Sequence, residues 1–151
     1  MNIESRLPIA LLLLRLSVFL VMLMWVLDKF VNPDHAVAVF QNFYLISGLG
    51  PVVIYAIGAV QAVIMIGFVL GWQKRWTYGL VLFMHSVSTF SAFRQYFAPF
   101  ESPNLLFFAA WPMMAACFTL YYLKNWDILW TVGEQAWRSP QNPEASSVTE
   151  K

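Results

Sequence analysis

Four long apolar stretches constrain the fold of this chain more than any other feature. They cover residues 7–28, 51–72, 76–97 and 104–123. Each is about 20 residues long, and a helix of that length spans about 30 Å, the thickness of the hydrocarbon core of a bilayer. Only 11% of all residues are charged, against roughly 25% in a soluble domain. The sequence therefore predicts an all-α integral membrane protein, a four-helix bundle forming a single domain over residues 1–138.

The basic residues predict the orientation of these spans. Only three residues separate the second and third spans, and Lys74 and Arg75 are two of them. Since short cytoplasmic loops are enriched in Lys and Arg, this hairpin is expected to be cytoplasmic, which places both termini on the same side. The protein is thus expected to be a multi-pass membrane protein with its N- and C-termini in the cytoplasm. No basic run suggests nucleic-acid binding.

Two further helices are expected outside the spans. Asp34 can cap a short helix in the first outer loop, where Ala36, Phe40 and Phe43 share an apolar face. After the fourth span, apolar residues recur at helical spacing and predict a cytoplasmic interfacial helix anchored by tryptophans. These residues are Trp126, Leu129, Trp130, Gly133 and Trp137, with Asp127 on the opposite, polar face. Residues 139–151 are too polar to form a core and are predicted to be a disordered cytoplasmic tail.

A set of polar residues within the spans is the first candidate site. Arg15 lies about eight residues inside the first span, where a charge costs several kcal/mol unless it has a partner or water. Gln61 and His85 reach similar depths on the second and third spans, so the three are expected to form one layer. Ser88 and Thr89 extend the polar face that begins at His85. This layer is expected either to bind a polar head group such as that of a quinone, or to hold the helices together by hydrogen bonds.

A second cluster of charges is expected at the outer end of the spans. It comprises Asp28, Lys29, Arg94 and Glu101, and Asp28 and Arg94 are predicted to form an ion pair. The cluster is expected either to bind a substrate or a partner subunit, or to consist of solvated and paired charges. No residue spacing indicates a metal site. Haem is not expected either, because His85 is the only histidine at membrane depth.

The sequence also resembles the DoxX-like membrane proteins over roughly residues 5–130. The resemblance rests on an arginine early in the first span and on the ending of that span, Trp25, Val26, Leu27, Asp28, Lys29, Phe30. It also rests on a short basic hairpin after the second span and on a fourth span that opens with Asn104, Leu105 and Leu106. It implies a four-helix bundle in a bacterial cytoplasmic membrane, in a family that includes subunits of thiosulfate:quinone oxidoreductase. Arg15 and Lys29 match features of that family.

Three functions are consistent with these observations. The first is an accessory subunit of a redox or respiratory system that interacts with quinone, with no covalently bound cofactor. The second is a non-catalytic structural or assembly subunit that binds another membrane protein or a second copy of the chain. The third is a small lipid-binding or transport protein, because charges inside a membrane can mark a pathway. The sequence identifies no catalytic residue.

Overall fold

The computed structural model describes residues 3–132, and within this range the protein consists of helices and connecting turns. The helices are α1 (Ile3–Val31), α2 (Pro33–Phe43), α3 (Pro51–Val69), α4 (Lys74–Ser91), α5 (Phe93–Phe97) and α6 (Ala110–Tyr122), with a 3-10 helix (Asn104–Ala109) directly before α6. No strand occurs between residues 3 and 132. The predicted all-α class is confirmed. The predicted tail, residues 139–151, lies outside the described residues.

The four longest helices pack in a closed order around an apolar core. Helix α1 contacts α3, α3 contacts α4, α4 contacts α6, and α6 contacts α1. Buried side chains from all four helices form the core, because each helix turns an apolar side inward. They are Leu11, Val18 and Val26 from α1, Met65 and Phe68 from α3, Tyr78 and Val81 from α4, and Cys117 and Leu120 from α6.

The two ends of this arrangement differ. At one end, residues 70–73 connect α3 to α4, and we call this the hairpin end. At the opposite end, α2 lies against α1 and α3, and we call this the α2 end. Because α1 begins at the hairpin end and leads into α2, its side chains are tilted toward the hairpin end, as side chains in a helix point toward its N-terminus.

Between residues 3 and 132, three helical segments are long and apolar enough to cross a membrane: Arg6–Val31, Pro51–Val69 and Asn104–Tyr122. They correspond to the first, second and fourth predicted spans. The third predicted span, 76–97, is not continuous, because α4 ends at Ser91 and a separate short helix follows Ala92. Beyond this break, Tyr96 packs its ring against Phe108 and Trp111, with ring centroids 5.3 and 5.6 Å away. The segment after the break thus packs against the segment that leads into α6.

The region after α6 is not the helix that the sequence predicts. Residues 123–132 form turns that fold against the hairpin end, where the amide of Val132 donates a hydrogen bond to the carbonyl of Leu70 at 2.9 Å. The predicted interfacial helix is therefore wrong over residues 126–132, and its remaining residues lie outside the described range. The reason is that Asp127, placed on the solvent face by the helical pattern, is fully buried.

Candidate functional site

A buried ion pair lies at the hairpin end. Arg15 and Asp127 are both 0% exposed, and Nη1 of Arg15 lies 3.1 Å from Oδ2 of Asp127. The other terminal nitrogen of Arg15, Nη2, donates to the carbonyl oxygens of Leu129 and Trp130 at 2.6 and 3.3 Å. Arg15 thus connects α1 to residues 127–130, which follow α6.

Two side chains of α4 complete this group. The hydroxyl of Tyr78 donates to Oδ2 of Asp127 at 2.6 Å and accepts a hydrogen bond from Nη1 of Arg15 at 3.1 Å. The ammonium group of Lys74 donates to the backbone carbonyl of Asp127. Lys74 precedes the predicted span 76–97, and burial lowers the pKa of its ammonium group, although the charge of Asp127 opposes this shift. We call Arg15, Lys74, Tyr78 and Asp127 the hairpin-end cluster.

Gly71 makes room for this cluster. Its φ is +61°, a left-handed conformation that glycine adopts without strain. A Cβ at this position would lie 2.5 Å from Cγ2 of Thr131 and 2.9 Å from Nη1 of Arg15. Both the backbone conformation and the close approach of Thr131 and Arg15 therefore require glycine at position 71.

The predicted layer of Arg15, Gln61 and His85 does not form. Arg15 points toward the hairpin end, as expected from the tilt of side chains toward the N-terminus of α1, and its guanidinium is engaged there. The sequence did contain a signal for the correct partner. An arginine buried in an apolar segment needs a carboxylate, and Asp127 follows the fourth apolar stretch at the same end as Arg15. Tyr78, two turns before His85, carried no comparable signal.

A cavity of about 820 Å³ lies between α1, α2, α4 and α6 and extends toward the α2 end. Apolar side chains provide much of its lining, and Gln61 is the lining residue from α3. The polar side chains along its wall are Ser17, Asp28, Lys29, Tyr44, Gln61, His85, Ser88, Ser91 and Tyr96. A mostly apolar cavity with a few polar groups is the usual form of a site for a small lipophilic molecule.

The cavity collects three of the five residues predicted for the central layer. Gln61, His85 and Ser88 line it, whereas Arg15 does not. Thr89 does not line it either, since its hydroxyl donates to the carbonyl of His85 at 2.8 Å and only 1% of the residue is exposed. The polar layer is therefore divided: Arg15 belongs to the hairpin-end cluster, and the other polar groups face the cavity.

His85 has a defined role in the wall of the cavity. Its Nε2 lies 3.0 Å from the carbonyl oxygen of Ala110, and a carbonyl only accepts hydrogen bonds. Nε2 therefore carries the proton, and in the neutral ring Nδ1 is left as an acceptor. Ala110 is the first residue of α6, so this hydrogen bond also joins α4 to α6.

The predicted outer cluster is likewise divided. Asp28 and Lys29 line the cavity, whereas Arg94 and Glu101 are exposed and do not. The predicted ion pair between Asp28 and Arg94 is wrong: Oδ2 of Asp28 lies 2.7 Å from Nδ1 of His35. Because α4 ends at Ser91, Arg94 does not occupy the position that a continuous helix would give it.

Helix α2 covers the cavity at this end, and it is the outer-loop helix predicted from the sequence. Pro33 is its first residue, a position where a missing amide hydrogen costs nothing. The residue before the helix is Asn32, so Asp34 lies in the first turn and is not the cap. Ala36 is buried, and Phe40 and Phe43 line the cavity, as their shared apolar face predicted.

Among residues 3–132, no group of three or more His, Cys, Asp or Glu side chains is placed to hold a metal ion. The polar groups of the cavity are hydrogen-bond donors and acceptors suited to an organic ligand. Comparison with protein-family models, with characterised proteins and with solved structures finds no match to this chain.

Proposed function

We propose that this chain is an integral protein of a bacterial cytoplasmic membrane, and that its cavity binds a lipophilic molecule of the quinone class as part of a redox or respiratory system. The cavity is the observation that carries this proposal. A volume of about 820 Å³ lies within the range of sites that enclose small molecules. Quinones combine an apolar tail with ring carbonyls, and the cavity combines apolar walls with hydrogen-bonding groups such as Gln61 and Ser88.

Membrane insertion is supported by the outward-facing side chains. Most residues in the apolar stretches of α1, α3 and α6 are not buried inside the protein. Among them, Leu13, Val63 and Phe118 are 61%, 69% and 55% exposed. Apolar surface of this extent requires lipid or a protein partner. Helix α4 packs between α3 and α6 and follows α3 by a tight hairpin, so we propose that it crosses the bilayer as the fourth span with both termini in the cytoplasm.

The resemblance to the DoxX-like family supports the redox setting. The chain offers no metal cluster among its described residues and one cysteine, Cys117, which is buried. Electron transfer would therefore depend on the bound quinone and on a partner protein. This is the behaviour of an accessory subunit.

A second candidate is a structural or assembly subunit, and one observation favours it. Phe97, the last residue of α5, and Phe100, in the connection that follows, are 87% and 94% exposed, and both lie outside the three apolar segments. Exposed aromatic side chains at a loop are typical of protein interfaces. Recovery of the chain with another membrane protein but with an empty cavity would favour this function over ligand binding.

Native mass spectrometry of the full chain extracted from its own membranes in mild detergent tests the proposal. We expect a co-purifying molecule with the mass of a membrane quinone, together with a redox partner protein. The variant Ser88→Phe places a large side chain on the cavity wall and should lose the small molecule. Val87→Phe, on the same helix but outside the cavity lining, should retain it. A wild-type chain without any bound small molecule, or equal retention by both variants, would refute the proposal.

A further inference from the structure

Lys29 is a buried cation whose hydrogen-bonding capacity is mostly unused. Only 9% of the residue is exposed, and it is the last basic residue of α1, at the α2 end. Its Nζ donates one hydrogen bond, to the carbonyl oxygen of Trp25 at 2.9 Å. An ammonium group has three donors, so this single bond leaves two of them free to bind another acceptor.

No carboxylate neutralises this charge directly. Within residues 3–132, no acidic side chain lies within 4.0 Å of the Lys29 ammonium. The nearest acidic residue along the chain is Asp28, and its Oδ2 is engaged with His35 at 2.7 Å. A buried charge without a carboxylate partner is costly, whereas Arg15 at the hairpin end has Oδ2 of Asp127 at 3.1 Å.

Lys29 lies at the α2 end of a long cavity, where a ligand can reach its charge. Along α1 the lining extends from Leu14 to Lys29, fifteen residues, which corresponds to about 22 Å at ~1.5 Å per residue. Near the hairpin end its lining has no Lys, Arg, Asp or Glu: Leu14, Met84 and Ala116 are apolar, and Gln61 and His85 lie at a similar depth. The cavity is therefore long, with mostly apolar residues at its inner end and a cation at the α2 end.

We propose that Lys29 binds the oxygen-bearing head group of the ligand, with the apolar tail of the ligand extending toward Leu14 and Ala116. This inference rests on the proposed function and specifies its site: the head group lies under α2, not beside His85. The chemistry required is a hydrogen-bond-accepting oxygen attached to an apolar chain. A quinone carbonyl and a fatty-acid carboxylate both provide it.

Binding of decyl-benzoquinone and of decanoate to the purified full chain in detergent tests this inference. The cavity is lined by Trp25, so quenching of tryptophan fluorescence reports quinone binding, and displacement of the quinone reports decanoate. Hydrogen bonds to charged groups are worth enough to change Kd ~10-fold to ~100-fold. We expect Lys29→Met to weaken binding by this factor for at least one probe, and Lys29→Arg to restore much of it. The probe that depends more strongly on Lys29 identifies the head group.

Lys124→Met is the matched control, because Lys124 also donates to a backbone carbonyl of its own region, that of Tyr121 at 3.3 Å, and does not line the cavity. It should bind both probes as the wild type does. If the wild type binds either probe and Lys29→Met loses affinity for neither, the inference is wrong, and quinone binding by the wild type would still support the proposed function. If the wild type binds neither probe, the proposed function fails as well.

Discussion

The hairpin end and the α2 end of this protein each bury a cation of α1, and the two cations differ in their partners. Arg15 has a carboxylate at 3.1 Å, a tyrosine hydroxyl and two backbone carbonyls as partners. Lys29 has one backbone carbonyl and borders an open volume of about 820 Å³. A buried cation that is paired with a carboxylate fixes the surrounding chain, whereas one that faces a cavity is available to a ligand. We therefore assign stability to the hairpin end and binding to the α2 end.

Loss of Asp127 should produce the largest effect on stability. Removing one partner of a buried ion pair typically costs about 3–5 kcal/mol, because the remaining charge is left unpaired. We expect Asp127→Ala to lower the free energy of unfolding by this amount. Labelling of Cys117 by a thiol reagent measures it, since the residue is 2% exposed in the folded chain. Asp34→Ala, which removes an exposed carboxylate, is the control and should change stability little.

The double variant Arg15→Leu with Asp127→Leu sharpens this test. Because it removes both charges, it should lose less stability than the sum of the two single substitutions. Additive losses would show that Arg15 and Asp127 do not act as a pair.

Tyr78→Phe should have a smaller effect. The substitution removes one hydroxyl that donates to Asp127 at 2.6 Å and accepts from Arg15 at 3.1 Å, while keeping the ring in the core. Hydrogen bonds to charged groups contribute about 1.5–3 kcal/mol. The same thiol-labelling measurement should show a loss of this size. Tyr55→Phe, at a side chain that is 41% exposed, is the control, and an equal loss there would contradict the assignment.

The smallest effect on stability is expected at the cavity. Gln61 lines it, and its side chain makes no hydrogen bond to another residue of 3–132, so Gln61→Leu should alter stability by less than about 0.5 kcal/mol. Affinity for decyl-benzoquinone should fall less than in Lys29→Met, because Gln61 is a neutral group. A stability loss as large as that of Tyr78→Phe would show that the cavity wall also holds the fold together.

The sequence predicted the helices better than the contacts between them. The apolar blocks and the shared face of Ala36, Phe40 and Phe43 were sufficient to predict helices at α1, α2, α3, α4 and α6, although α4 ends before its predicted span does. The break at Ala92 was not predictable, because no proline or glycine marks it. Beyond the break, Tyr96 packs against Phe108 and Trp111, which belong to later elements of the chain. The helical spacing of the residues after 123 also led to a wrong prediction, because the buried ion pair between Arg15 and Asp127 holds this segment against the hairpin end.

The candidate site was predicted in part for the same reason. The cost of burying Arg15 was evident from its position. Asp127 lies at the same end of the apolar stretches, but it also fits the polar face of a helix, and the prediction placed it there. Depth along the spans grouped Gln61 and His85 with Arg15, and of these three residues Gln61 and His85 line the cavity. Depth does not specify the direction of a side chain, and the tilt of Arg15 toward the start of α1 separated it from the other two.

Thermal unfolding with and without decyl-benzoquinone most directly tests the assignment of stability to the hairpin end and of ligand binding to the α2 end. A ligand that binds only the folded state stabilises it by about 2.7 kcal/mol at a concentration ~100 times Kd, and by about half of that when Kd is ~10-fold weaker. We predict that Lys29→Met keeps the Tm of the ligand-free wild type but shows a much smaller rise with ligand. Asp127→Ala should show a lower Tm and a full rise. An unchanged rise in Lys29→Met, or an unchanged Tm in Asp127→Ala, would contradict the account.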